Sequence, residues 1–312
     1  MANGDAMVLQ HWDDLDGSLT CDPGFEYPTD GSGTNPIAWT IENAGTYSNP
    51  PTFSRDSTEF YQGSYSQKIS VPSNAGTNGA SLIHQDIDLP LGDRHLGAIF
   101  TPSVYFKLSK ALTTDVNIFI WIGSYKNDGT KLEEVSTQAV LTGDTNWHAL
   151  AGDPLTISDV GDGLLDKINV HARVTCNASN TDVNVFFDYC RCYQSLTFPV
   201  NPRITNIGAG VYGENNLTTA DGYLHINNLV GRFNKRRFDL NWRFITKEFM
   251  QQLESIYSFR DRKLKFIPYL DALAYLNNGL AVKWIDKEFD WDFESANIGA
   301  GYRVNATFEE VI

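Results

Sequence analysis

Short stretches of alternating apolar and polar residues constrain the fold of the first two thirds of the chain most strongly. Along Val116–Ile122, the valine and isoleucine side chains form one stripe, and Phe119 and Trp121 belong to the opposite stripe. Such alternation is typical of β-strands whose two faces have different surroundings. Three further stretches read as strands: Ser103–Leu108, Lys167–Thr175 and Asp182–Gln194. Many short strands separated by Gly, Pro, Asn, Asp and Ser predict an N-terminal β-sandwich of the jelly-roll kind.

The rear third combines strands with one helix. Residues 237–244 alternate between apolar and polar types, and Thr246 is a good N-cap with Glu248 in the first turn. Apolar residues then recur at helical spacing: Phe249, Met250, Leu253, Ile256 and Tyr257. Strands are predicted next at Leu264–Leu270, Ala281–Glu294 and Tyr302–Val311. The whole chain is therefore predicted to be mainly β, with the sandwich followed by an α+β domain of β-hairpins or a β-sandwich with one helix.

A change in charge and two prolines mark a domain boundary near Thr197–Arg203. The net charge is −14, yet residues 199–312 carry 14 Lys and Arg against 14 Asp and Glu, so the excess lies earlier. We expect an N-terminal arm or first strand at 1–19, a jelly roll at 20–198, a linker at 199–203 and a second domain at 204–312. An acidic front half repels nucleic acid, so the sequence predicts no nucleic-acid partner.

Several functional classes lack their signals in this sequence. No apolar run approaches membrane-spanning length, and the first residues lack the basic and apolar regions of a signal peptide. The six histidines show no metal-binding spacing, and no nucleophile elbow or phosphate loop is present. The sequence therefore predicts no membrane insertion, no classical signal peptide, no enzymatic activity and no required cofactor.

The front half resembles one family of binding modules. The segments Asp22–Glu26, Tyr61–Ser66 and Leu82–Ile87, together with Trp39, occur here in the order seen in carbohydrate-binding jelly rolls of the CBM4/9 type. The resemblance implies a glycan-binding surface rather than a catalytic centre. Flat aromatic rings suit the C–H faces of sugars, and Tyr105, Phe119, Trp121 and Tyr125 are the candidates. The alternative is that both faces of their strand are covered, by the second sheet or by another subunit.

The same resemblance implies a structural calcium ion. Its matching ligands here are Glu26 and Asp188, with backbone carbonyls near Gly63 and Ser64. The family often ends in two consecutive carboxylates, whereas Tyr189 follows Asp188 in this chain. A surface Glu and a turn-facing Asp without any metal are the alternative.

An acidic stripe is the sharpest pattern of the rear domain. Asp286, Glu288, Asp290 and Asp292 alternate with apolar residues, so a strand would carry one acidic face. The basic segment Lys235, Arg236 and Arg237 could pair with that face between identical subunits. A solvated outer face and a calcium-binding stripe are the alternatives.

The rear third also looks like a known kind of domain. The segments Asn241–Phe244, Lys263–Pro268, Val282–Asp286 and Ala306–Val311 are similar to the β-sandwich-plus-helix domains of tailed-phage tail and baseplate proteins. This implies a structural virion protein that forms a ring-like homo-oligomer, contacts other virion proteins, attaches to host-surface glycans and is made in the host cytoplasm. The alternative is a non-catalytic glycan-binding protein or an accessory subunit of a polysaccharide-degrading system.

Overall fold

The structure is a computed structural model that describes residues 8–11, 18–28, 36–73, 75–76, 79–90, 92–112, 116–139, 143–161, 164–176, 182–199, 203–218, 224–267, 280–296 and 299–311. Contacts divide the chain into two compact units. The front unit is Asp13–Ser195, and the rear unit joins Met1–Trp12 to Leu196–Ile312. The N-terminal strand β1 (Val8–His11) belongs to the rear unit, where it pairs with Leu264–Ile267. The roles assigned to the predicted domains remain predictions.

The described regular elements of the front unit are strands and one short 3-10 helix at Gly92–His95. In chain order the strands are β2 (Thr40–Ala44), β3 (Thr52–Asp56), β4 (Ser66–Val71), β5 (Ala80–Asp88), β6 (Ile99–Leu108), β7 (Val116–Lys126), β8 (Lys131–Gln138), β9 (His148–Ala151), β10 (Leu155–Thr156), β11 (Leu165–Cys176) and β12 (Val183–Thr197).

These strands form two antiparallel sheets. One sheet has the order β2-β5-β11-β7-β8, and the other joins β3, β4, β12 and β6, with β9 and β10 on the far edge of β6. The apolar stripes of both sheets are buried, as Ile118 and Ile120 of β7 and Val104 of β6 show with no exposed surface. The prediction of a mainly β protein with a front sandwich is thereby confirmed.

The rear unit combines a sheet with one described helix. Its further elements are β13 (Arg203–Thr218), β14 (Leu224–Ile245), α1 (Lys247–Tyr257), β15 (Leu264–Ile267), β16 (Leu280–Trp284), β17 (Asp290–Ala296) and β18 (Gly299–Glu310). The sheet order is β1-β15-β16-β18-β14-β13, and β17 pairs with β18.

The predicted helix is present and packs as its pattern indicates. The side chain of Thr246 accepts a hydrogen bond from the backbone N–H of Phe249 at 3.2 Å, which satisfies one free donor of the first turn. The apolar face, including Leu253 and Ile256, is fully buried against the core of the sheet. Trp242 and Phe308 contribute large buried rings to this core. The helix thus covers one face of the rear sheet.

The predicted strand Ala281–Glu294 is wrong as a single element. The structure has two strands there, β16 and β17, and residues 285–289 lie between them. Within this break the carboxylate of Asp286 accepts hydrogen bonds from the backbone N–H of Thr307 at 2.6 Å and the Trp284 indole at 2.9 Å. A side chain replaces a ladder partner here, so the pleat does not continue and Asp286 leaves the predicted acidic stripe.

Candidate functional site

The face of the five-stranded sheet that points away from the core carries a groove of about 280 Å³. Residues of four adjacent strands line this groove, which we call the sheet groove: Glu42, His84, Asp86, Tyr125, Lys167, Asn169 and His171. Strand pairing explains the grouping, because His171 stands opposite His84 on one side and Trp121 on the other. Directly opposed residues of antiparallel strands share a face, so all three point to the same side.

The floor of the sheet groove holds a charged hydrogen-bond network. Lys167 Nζ lies 2.5 Å from Asp86 Oδ2, and the Asn169 side-chain amide donates to Asp86 Oδ1. Burial alone would raise the pKa of Asp86, but the hydrogen bonds from Lys167 and Asn169 outweigh it and lower that pKa. Asp86 is therefore a fixed carboxylate that is held in place by two donors.

Two stacked histidines lie beside this network. The ring centres of His84 and His171 are 5.2 Å apart. Burial, with smaller contributions from the charges of His84 and Arg173, lowers the pKa of His171 to about 3. Burial also lowers the pKa of His84, against the opposing effects of Asp86 and Glu42. Both imidazoles are therefore neutral near neutral pH, and each offers one donor and one acceptor.

Three of the predicted aromatic residues, Phe119, Trp121 and Tyr125, lie on the same face of β7 as the sheet groove. The Trp121 ring centre is 5.8 Å from that of His171 and 5.4 Å from the guanidinium carbon of Arg173. Between Trp121 and Tyr125 is Gly123, where a Cβ atom would stand 3.1 Å from the Tyr125 ring. The missing side chain lets the tyrosine ring lie over the strand.

Several buried polar atoms of this face have no hydrogen-bond partner. They are His84 Nε2, Asn169 Oδ1, Trp121 Nε1 and Arg173 Nε. His84 Nδ1 already receives a hydrogen bond from Asn169 at 3.1 Å, so the proton of the neutral ring is on Nε2. Buried polar groups are seldom left unpaired, because each costs about 1–3 kcal/mol. The face therefore holds three unpaired donors and one unpaired acceptor that are covered by neighbouring side chains, and Glu42 Oε2 lies 3.8 Å from His84 Nε2.

Tyr105 does not belong to this face, which corrects the prediction that it extends the β7 platform. It lies on β6 in the other sheet. Its ring stacks on Tyr61 with centres 3.8 Å apart, and Tyr189 packs edge-on at 6.2 Å. The predicted alternation within β6 is present. The sheet to which β6 belongs, however, is decided by its pairing with β12.

The predicted calcium ligands come together at one loop. The carboxylate of Asp188 accepts hydrogen bonds from the backbone N–H groups of Tyr61 at 2.7 Å and Gln62 at 3.1 Å. Glu26 Oε1 accepts from Ser64 N at 2.9 Å and Tyr65 N at 3.2 Å. The loop thus contributes N–H donors to these carboxylates, whereas the sequence reading expected carbonyl ligands from it. Residues far apart in the chain are nevertheless joined here.

Glu26 and Asp188 offer carboxylate oxygens, which are the ligand atoms that a hard cation such as calcium prefers. Burial raises the pKa of Asp188 to about 7, and the nearby charge of Glu26 adds to the effect. A cation between two like-charged carboxylates would relieve that repulsion. Among the described residues, no group of three or more His, Cys, Asp and Glu side chains is arranged for a metal ion. Glu26 and Asp188 would therefore hold calcium only with additional backbone or water oxygens.

The predicted interface residues are distributed over three places of the rear unit. Lys235, Arg236 and Arg237 follow one another on β14, and the side chains of the first two lie outside the described residues. Asp286 and Glu288 lie between β16 and β17, whereas Asp290 and Asp292 lie on β17. Asp290 accepts a hydrogen bond from Asn305 at 2.7 Å. Pairing between copies remains a prediction.

Sequence reasoning missed the polar half of the site, namely His84, Asp86, Lys167, Asn169, His171 and Arg173. A usable signal was present, because these residues occupy alternate positions of β5 and β11, opposite the buried Ile and Val positions. Only the pairing of β11 with both β5 and β7 brings them beside the aromatic residues.

Within the described ranges, no helix has the length and apolar character needed to cross a membrane. No protein-family model matches the chain, and no curated protein matches its sequence. Among solved structures, the chain is similar to the enzymatically active domain of bacteriophage CBA120 tailspike protein 4, with 14% identity and a TM-score of 0.38 over 56% of this chain and 21% of that one.

It is also similar to a carbohydrate-binding module of the β-sandwich superfamily, with 14% identity and a TM-score of 0.37 over 55% of this chain and 62% of that one. The C-terminal family 22 carbohydrate-binding module of Clostridium thermocellum Xyn10B has 14% identity and a TM-score of 0.34, over 60% of this chain and 99% of the module. The chain thus spans about a fifth of the tailspike domain and less than two thirds of the first of these modules.

Proposed function

We propose that the front unit is a glycan-binding domain and that the sheet groove with the aromatic residues of β7 is its binding face. The observation that carries this proposal is the union of Phe119, Trp121 and Tyr125 with the Asp86–Asn169–Lys167 network on one face. Aromatic rings pack against the C–H faces of sugars, and fixed polar groups orient the hydroxyl groups.

The unpartnered polar atoms support a polyhydroxylated ligand. Once the side chains that cover these atoms move aside, a sugar hydroxyl can donate to Asn169 Oδ1 and can accept from His84 Nε2 or Trp121 Nε1. A hydroxyl-rich chain lying along the groove satisfies both the donors and the acceptor.

Within the sheet groove, the state of Asp86 favours binding over acid catalysis. A glycosidase of the common kind needs one carboxyl group with a raised pKa as the general acid. The pKa of Asp86 is lowered, and its oxygens are engaged by Lys167 and Asn169. This carboxylate is suited to accept hydrogen bonds from sugar hydroxyls and unsuited to donate a proton.

The test is affinity gel electrophoresis of the full chain in a panel of soluble plant and bacterial-surface polysaccharides. Wild type should be retarded by at least one polymer, and Trp121→Ala should lose most of that retardation. Tyr27→Ala is the matched control, because Tyr27 is 66% exposed in the same unit and does not line the sheet groove. Absence of retardation in every polymer, or equal losses for the two variants, contradicts the proposal.

A structural calcium ion held by Glu26 and Asp188 is part of the same proposal. The ion would tie the segment after residue 22, the loop at 61–65 and strand β12 together. Calcium should raise the melting temperature of the wild type, and Asp188→Asn should abolish the rise. Asp166→Asn, an exposed change, is the control. An equal rise with magnesium in wild type and Asp188→Asn would point to a general ionic effect and would exclude this site.

The wider role that we propose is a tail or baseplate protein of a tailed bacteriophage, located in the virion. The front unit would attach to host-surface glycans, and the rear unit would assemble with further copies and with other virion proteins. Support comes from the absence of excess negative charge after residue 199 and from the apolar surface of the rear unit described below. Recovery of the chain in density-purified phage particles tests this role. Recovery only with secreted polysaccharide-degrading enzymes would favour the accessory subunit instead.

A further inference from the structure

The rear unit exposes two large aromatic side chains on one strand. Trp291 is 46% exposed and Phe293 is 61% exposed, and both rings pack against Tyr302 of β18 at 5.6 Å and 5.4 Å. In register, Trp291 stands opposite Val304, which is fully buried. The two aromatic residues therefore extend the core face of the sheet beyond the part that is covered. Exposed apolar surface of this kind marks an interaction site.

Two strands of this sheet have a described partner on one side only. Among the described strands, β17 pairs with β18 on one side, and β13 pairs with β14 on one side. Within the described part of the rear unit, each therefore has a row of backbone N–H and C=O groups that another strand can pair with. Moreover, β14 pairs with β18 from Arg237 to Ile245, so the earlier part of β14 has β13 as its described partner. A two-stranded ribbon is marginally stable by itself, which favours a neighbour.

Charge disfavours the simplest pairing, in which two β17 edges meet. The face of β17 opposite Trp291 carries Asp290, Asp292 and Glu294. Glu294 is held by Arg243, with Nε 2.9 Å from Oε2, and Asp292 stands opposite Arg303 in register. Two antiparallel copies of β17 would bring their aspartates together across the new ladder, which is destabilising. A basic edge fits better.

Beside the β13 edge, β14 carries Arg237, whose side chain is 54% exposed and whose Nε is 3.3 Å from Asp239 Oδ1. Gly208 of β13 stands opposite Arg237 of β14, so a residue without a side chain lies between Arg237 and the edge. Arg237 shares its face with Asn305 and Asp292, because its sheet partner Glu309 is on the same side of β18 as Asn305. If β17 of one copy pairs with β13 of another, the two sheets form one continuous sheet. Asp290 and Asp292 of the first copy then lie on the same face of that sheet as Arg237 of the second.

The apolar faces match in the same arrangement. Ile204 and Ile207 of β13 stand opposite Leu240 and Phe238, which are buried in the core. These positions belong to the same face as Trp291 and Phe293. Continuing the sheet therefore brings apolar residue types together on one side and opposite charges together on the other.

We infer that the β17 edge of this chain docks the β13 edge of a second copy, which extends the rear sheet from one copy to the next. The contact is head-to-tail, so it generates rings or open chains rather than a twofold dimer. This inference rests on the assembly role proposed for the rear unit, and it is independent of glycan binding by the front unit.

The experiment is sedimentation velocity of the full chain between about 1 and 100 μM, where interfaces of moderate strength dissociate. Wild type should associate with rising concentration. Asp292→Lys and Arg237→Glu should each raise the dissociation constant by about tenfold or more, because each opposes like charges. An equimolar mixture of the two variants should recover association, since each reversed edge then meets its opposite. A contact between two β17 edges would leave Arg237→Glu unaffected.

Control variants and measurements distinguish a loss of association from a loss of folding and from a change in glycan binding. Phe293→Ser should weaken association, whereas Ile285→Ser should not, although Ile285 is also exposed at 39%. Circular dichroism melts verify that each variant is folded. A wild type that stays monomeric throughout, or a mixture that recovers nothing, overturns the inference. Retardation of the same samples by polysaccharide shows separately whether the glycan proposal holds.

Discussion

Asn169 donates a hydrogen bond from its side-chain amide to the carboxylate of Asp86, its cross-strand partner in the five-stranded sheet. The same amide donates to His84 Nδ1 at 3.1 Å. One buried side chain thereby joins Lys167 in lowering the pKa of the acid and also sets the tautomer of the neighbouring imidazole. The polar floor of the proposed binding face is thus fixed before any ligand arrives.

Lys167 and Asn169 both donate hydrogen bonds to Asp86, and substitution should separate their effects on its pKa. Lys167→Met should raise the pKa of Asp86 more than Asn169→Ala does, because Lys167 contributes both a hydrogen bond and a positive charge. Lys131→Met should leave that pKa where it is, since Lys131 pairs with Glu134 instead. A carboxyl-carbon NMR titration measures the three values. An equal effect of Lys167→Met and Asn169→Ala would show that the charge of Lys167 is unimportant.

Acid should destabilise the protein in part through His171. Its folded pKa of about 3 lies below the unfolded value near 6.5. The unfolded state therefore binds the proton first, so this contribution is complete above pH 6.5 and is lost as the pH falls toward 3. Through this one group, the free energy of unfolding should fall by at most about 1.4 kcal/mol for each pH unit.

Other groups titrate in this range, so the relevant quantity is the difference between wild type and His171→Gln. Urea unfolding at pH 7.5, 6 and 5 should give a shallower decline for the variant. Lys131→Gln, which changes another neighbour of Trp121, should keep the wild-type slope. Parallel curves for wild type and His171→Gln would contradict the buried neutral imidazole.

Gly123→Ala should disturb the aromatic row. The added methyl group would stand 3.1 Å from the Tyr125 ring and 3.2 Å from the backbone oxygen of Glu133, so the ring must move. We expect weaker polysaccharide binding and a loss of about 1 kcal/mol in the free energy of unfolding. Gly143→Ala is the control, because no heavy atom lies within 4 Å of its added Cβ. Unchanged binding in Gly123→Ala would remove Tyr125 from the proposed face.

The loop that joins Glu26 and Asp188 should depend on Gly63. This residue has a φ of +85°, and an added Cβ would strike the Glu26 carboxylate. Gly129 has a similar φ of +83° with nothing within 4 Å of its added Cβ. Gly129→Ala should therefore cost about 1–2 kcal/mol through backbone strain alone.

Gly63→Ala should lose at least about 1 kcal/mol more, since the clash displaces an acceptor of two backbone N–H groups. Chemical denaturation of the two variants side by side measures the difference. Equal losses would mean that strain alone accounts for both, and that the contact with Glu26 adds nothing.

The strands and the helix were predictable because their patterns are local. The alternation along Val116–Ile122 specifies which residues of β7 share a face, and Thr246 specifies where the helix begins. The break between β16 and β17 was not predictable, because it depends on a hydrogen bond from Thr307 to Asp286. That contact joins residues on different strands, and no local period reports it.

The sequence by itself determined the mainly β class, the helix of the rear unit and the shared face of Phe119, Trp121 and Tyr125. Tertiary structure alone decided that Tyr105 lies in the other sheet and that Asp86, Asn169 and His171 complete the face. The physical reason is that side-chain direction follows from the two-residue period of a strand, which any short segment contains. Which strands become neighbours depends on hydrogen bonds and packing between residues far apart in the chain, such as His84 and His171.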